Sequence, residues 1–146
     1  MAKKRSFARR HGLGIVSILL VILWIVLYSV SDDHQHWGSF FGNAIADWTG
    51  VVVTVIATEY LYELGSSQSR KPPHEALKPV WLFLLDHSLT IFLVITGMVW
   101  VGVYSHMDSE SKWGQVVGNI VSEWTQILGM VVLTKKLMEV RSKESK

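Results

Sequence analysis

Two stretches of this chain place an amide and a carboxylate one helical turn apart inside otherwise apolar sequence: "WGSFFGNAIADWTG" at residues 37–50 and "WGQVVGNIVSEWTQ" at residues 113–126. In helical register Asn43 and Asp47 share one face, and so do Asn119 and Glu123. Their oxygens are donors suited to hard or borderline cations. Asn43, Asp47, Thr49, Asn119, Glu123 and Thr125 are therefore the candidate lining of an ion path or filter, with Asp47 and Glu123 as candidate metal ligands and a bound cation as the one cofactor class they suggest. A competing reading is structural: the same groups, with protonated carboxyls, would hydrogen-bond between helices and hold them together. An ionised carboxylate near a bilayer centre costs roughly 2.5 to 3.5 kcal/mol on insertion scales, so either reading requires a compensating partner.

The elements that must position these groups are four long apolar blocks, residues 13–30, 37–64, 80–104 and 113–140 of a 146-residue chain. A hydrocarbon core about 30 Å thick needs about 20 mostly apolar helical residues, and each block reaches or nearly reaches that length. A soluble bundle would keep a polar face on each helix, and "IVSILLVILWIVLYSV" offers almost none. The expected class is an all-α integral membrane protein with four transmembrane helices. The apolar run after "MAKKRSFARRHG" is too long for a signal-peptide core and no A-x-A-type cleavage site follows it, so it is expected to stay in the protein.

Lys and Arg set the expected orientation, since cytoplasmic loops carry their excess. Lys3, Lys4, Arg5, Arg9 and Arg10 precede the first block, Arg70, Lys71 and Lys78 lie between the second and third, and Lys135, Lys136, Arg141, Lys143 and Lys146 close the chain. The loops "SDDHQH" and "SHMDSESK" contain a single Lys. Both termini should face the cytoplasm of a cell membrane, with the two acidic loops outside. The net charge of +2 follows from this asymmetry and gives no reason to expect nucleic acid as a partner. With no Cys, disulfides, thiolate metal sites and thiol catalysis are excluded.

An internal repeat organises the chain. At an offset of 76 residues it aligns on itself without gaps from His11/His87 to Leu64/Val140, with identities that include Trp24/Trp100, Tyr28/Tyr104, Gly42/Gly118, Asn43/Asn119, Trp48/Trp124 and Glu63/Glu139. The expected organisation is a first two-helix membrane repeat at 1–64, a cytoplasmic linker at 65–79 and a second repeat with a basic tail at 80–146. Each unit has an even number of crossings, so the two should run parallel, related by an axis along the membrane normal. Gly38, Gly42, Ala46 and Gly50 fall four apart, as do Gly114, Gly118 and Ser122, and form strips where another backbone can approach closely.

Other polar residues have two readings each. His11 and His87 are repeated at the inner ends of the first and third blocks and could ligate a metal, or else make structural contacts such as a salt bridge between Arg10 and Asp86 at equivalent positions. Asp32, Asp33, His34 and His36, with His106, Asp108 and Glu110, could attract divalent cations at a pore mouth or form solvated acidic loops. Trp37, Trp81 and Trp113 fit an aromatic belt, whereas Trp48 and Trp124 are deep enough to pack between helices or wall the polar site. No phosphate loop, nucleophile elbow or His-Glu-x-x-His signature is present, and an enzyme is not expected.

The stretch "LWIVLYSVSDDHQHWGSFFGN" resembles the low-affinity iron permease family of small membrane proteins: a Trp ends one apolar helix, a short Ser-Asp loop follows, a Trp opens the next helix, and an Asn comes soon after. The Trp24 to Trp37 spacing is similar. Asn43 and the Asp47-Trp48-Thr49 segment depart from the Asn-Thr-rich pattern of that family. The resemblance covers about twenty residues per repeat and implies divalent-metal uptake.

A single four-helix chain is thin for a water-filled path, so a homo-oligomer in the lipid bilayer, a dimer or larger, is expected to bring several copies of the polar motif around an axis and to conduct an inorganic cation. The alternatives are a non-transporting membrane scaffold or accessory subunit, and a proton-coupled small exporter.

Overall fold

The computed structural model describes residues 11–69, 79–135 and 137. Its helices are α1 (Gly12–Val30), α2 (His36–Tyr60), α3 (Pro79–Asp86), α4 (Ser88–Ser105) and α5 (Lys112–Leu133), and no strand occurs among the described residues. α1, α2, α4 and α5 are long and apolar enough to cross a membrane. At 1.5 Å per residue, even the 18-residue α4 extends about 27 Å, close to a hydrocarbon core. The protein is thus a multi-pass membrane protein by the length and composition of its helices.

The turns between crossings are written in the loop residues. Asp32 accepts the backbone N–H of His34 at 3.0 Å, and Asp108 accepts that of Glu110 at the same distance, so each carboxylate closes an Asx turn just before the next helix. Ser111 then caps α5 by accepting the N–H of Gly114 at 3.1 Å. These two aspartates build turns on the exposed loops.

α1 packs on α2, α4 packs on α5, and α2 and α5 pack on each other in the middle. The small residues allow the two outer contacts. A Cβ on Gly38 would sit 1.9 Å from the carbonyl oxygen of Asp32, and one on Gly114 would sit 2.0 Å from that of Asp108, so only glycine lets each helix start so close to its loop. One turn further, Gly42 lies under the ring of Tyr28, and Gly118 lies under the ring of Tyr104. Ala46 continues the first strip and is buried. Ser122 does not continue the second: it is exposed and lines a polar cleft described below.

The core joins both hairpins, with Tyr28, Ile45, Leu89, Leu93, Ile120 and Trp124 buried together. Tyr28 also donates its hydroxyl to the carbonyl of Lys112 at 2.6 Å, while the Lys112 ammonium bonds the carbonyl of Ser31 at 2.5 Å and lies over the Tyr28 ring. The outward sides of α1 and α4 expose Leu19, Ile22, Val26, Ile95, Met98 and Val99, surface suited to lipid.

Two blocks read as continuous are interrupted. The third divides at His87, because the first turn of α4 bonds elsewhere: Leu89 N–H goes to the carbonyl of Tyr62 at 3.0 Å and Thr90 N–H to the carboxylate of Glu63 at 3.3 Å. The second ends at Tyr60, after which Leu61 is extended (φ −110°, ψ 153°) and the chain turns toward α4. The end of the fourth block, residues 138–140, lies outside the described residues.

Candidate functional site

Where α2 and α5 face each other, the side-chain amide of Asn119 donates to the amide oxygen of Asn43 at 2.6 Å. Around this bond lies a polar cleft of about 230 Å³ lined by Asn43, Asp47, Asn119, Ser122 and Glu123. The 3.6-residue period fixes the arrangement: Asn and carboxylate one turn apart point the same way on each helix, and the two faces meet. Glu123 reaches across to α2, where Gly50 leaves room for it. A Cβ at position 50 would come within 2.8 Å of Glu123 Oε2.

Asn43, Asp47 and Ser122 are exposed on the side of the four-helix unit, while Asn119 and Glu123 are half-buried. With α2 entering near Trp37, Asp47 lies about 15 Å down its axis. The cleft therefore opens laterally at mid-depth, and it can offer carboxylate, amide and hydroxyl oxygens to a cation.

The structure separates Thr49 and Thr125 from this cleft. Thr49 donates to the carbonyl of Ile45 at 2.6 Å and Thr125 to that of Ser122 at 2.7 Å, each returning to its own helix as intramembrane threonines commonly do. Trp124 also turns away. It donates to Thr96 on α4 at 2.8 Å and meets Trp100 edge-on, so it packs between helices and does not wall the polar site.

His11 and His87 are placed apart from Asp47 and Glu123. His11 Nδ1 lies 3.3 Å from Glu59 Oε1, and His87 Nδ1 lies 2.7 Å from Glu63 Oε1. Among the described residues no group of three or more His, Cys, Asp or Glu side chains converges to hold a metal, so a cation between Asp47 and Glu123 would rest on two carboxylates with amide and hydroxyl help. Arg10, the expected partner of Asp86, lies outside the described residues.

Sequence reasoning passed over Glu63. Its side chain is 0% exposed, and it forms ion pairs with His87 and Lys135 while accepting the Thr90 N–H. Burial by itself would push its pKa up, but the bonds from Lys135, Thr90 and His87 outweigh burial and hold the carboxyl below its ordinary value. The Glu63/Glu139 identity was the available signal. Compared with protein-family models, curated proteins and solved structures, the chain matches none.

Proposed function

We propose that the protein is a cation channel or facilitator of the cell membrane, assembled as a homo-oligomer, with Asn43, Asp47, Asn119 and Glu123 lining its path. The observation that carries this reading is the exposure of Asn43 and Asp47 at mid-depth on the outside of the four-helix unit. Facing lipid, an ionised Asp47 would cost roughly 2.5 to 3.5 kcal/mol, a penalty that disappears when another copy covers the face and encloses water or ions against it. Two tandem two-helix repeats per chain, parallel about an axis along the membrane normal and with both termini cytoplasmic, would then surround the path with repeated amides and carboxylates. The short-motif resemblance of residues 23–43 to the low-affinity iron permease family is what suggests a divalent metal such as iron as cargo.

The scaffold reading draws on one specific contact, the Asn119–Asn43 hydrogen bond, which is what interhelical attachment alone would use. Flux of K⁺, Na⁺, Fe²⁺ and Mn²⁺ into proteoliposomes separates the two. In the channel reading Asp47→Asn/Glu123→Gln folds and loses flux or selectivity. In the scaffold reading no cation passes in either protein and the variant dissociates in detergent.

A further inference from the structure

Inward of the polar cleft, a second cavity of about 400 Å³ lies between α2, α4 and α5. Its polar wall is Thr54, Thr58, Gln126 and Gln68, set among apolar residues such as Leu93 and Met130. Thr54 and Thr58 follow Asn43 and Asp47 at steps of seven and four, which keeps all four on one face of α2, and Gln126 lies one turn inward of Glu123 on α5. Polar groups thus continue along the α2–α5 seam from the outer cleft to this cavity.

Gln68 in the cavity wall belongs to residues 61–69, which leave α2 and cross to the second hairpin. The crossing is anchored at closely spaced points. Leu64 N–H bonds the carbonyl of Asp86 at 2.7 Å and Ser66 Oγ lies 3.0 Å from Thr134 Oγ1, while within the segment Glu63 N–H bonds Ser69 Oγ at 2.9 Å. The strongest anchor is the buried Glu63 carboxylate between His87, Lys135 and the first turn of α4. Gln68 belongs to the same short segment and forms part of the cavity wall. At the position matching Lys135 the first repeat holds Glu59, whose carboxylate lies 3.3 Å from His11 Nδ1.

We propose that this cavity is the inner vestibule of the path and that residues 61–69 are a latch closing it, held shut by Glu63. What passes when the latch opens rests on the channel reading. The latch itself can be observed without flux.

The chain has no Cys, so Thr58→Cys is a clean reporter inside the cavity. A membrane-impermeant maleimide is applied to both faces of proteoliposomes. Thr58→Cys alone should be protected, and adding Glu63→Gln should speed labelling about tenfold, as a tenfold larger open population would. Equal labelling rates would overturn the latch. A second variant does not depend on losing the buried carboxylate: Ser66→Cys/Thr134→Cys, oxidised to a disulfide, should block cation flux until reduced, and measurable flux that is equal in both states would also overturn it. If no protein conducts any cation while labelling of Thr58→Cys still depends on Glu63, the latch stands and the channel reading falls.

Discussion

Gly42→Ala and Gly118→Ala bring the same methyl equally close to the same kind of ring, yet they should differ in cost. In both, the new Cβ would lie 3.0 Å from a tyrosine Cε2, tight enough that the ring must give way. Tyr28 is fixed: it is 1% exposed, its hydroxyl is bonded to the Lys112 carbonyl, and Trp113 packs edge-on at 5.2 Å. Tyr104 is half-buried and has an open side toward which it can shift. Overpacking against an immobile neighbour costs about 1 to 3 kcal/mol, and replacing helical Gly by Ala returns about 1 kcal/mol. Gly42→Ala should therefore destabilise by up to about 2 kcal/mol, and Gly118→Ala, whose ring can shift, should cost less and stay within about 0.5 kcal/mol of wild type. Unfolding by SDS titration in mixed micelles, followed by tryptophan fluorescence, measures both. Adding Tyr28→Phe should release the ring, so that Gly42→Ala/Tyr28→Phe costs less than the sum of its parts. Equal costs for the two alanines, or strict additivity in the double variant, would refute the reasoning.

Gly38→Ala should be more severe than Gly42→Ala, since its methyl would meet the Asp32 backbone, and yield of folded protein after membrane extraction should fall sharply. Trp124→Phe keeps the core ring but loses the bond to Thr96, so the same titration should show a loss of about 1 kcal/mol. Because Glu63 titrates below its ordinary value of 4.5, its charged form stabilises the inner end fully above that pH, and this stability is lost as pH falls through the lower native value. The protection of the Leu89 and Thr90 amides against hydrogen exchange, with the intrinsic rate at each pH divided out, should fall on acidification in wild type, and Glu63→Gln should show low protection already at neutral pH.

The crossings were legible because about 20 apolar residues in a row have few other uses, and the meeting of Asn43 with Asn119 followed from equal positions on two helices that pack together. Which side of the pair would face outward was not legible. Exposure of Asp47 depends on how α1 and α4 distribute around α2 and α5, and their almost uniformly apolar surfaces carry little rotational signal. Thr49 and Thr125 followed the Asn-carboxylate motif in sequence, but a threonine hydroxyl bonds its own helix more readily than a distant partner. The break at His87 was hidden because its cause, Glu63 and Tyr62 competing for the α4 amides, lies more than twenty residues earlier in the chain. Glu63 fell near the end of the second apolar block as one identity of the repeat, with no partner assigned, and only the fold shows that Lys135 and His87 close around it.

Cation flux into proteoliposomes containing the wild-type protein, beside Asp47→Asn/Glu123→Gln verified as folded and of the same oligomeric size, tests the central claim most directly. The account predicts flux of at least one of K⁺, Na⁺, Fe²⁺ and Mn²⁺ in the wild type and its loss or altered selectivity in the variant. Wild-type flux that the variant reproduces unchanged would contradict it, as would a wild-type protein that passes none of the four.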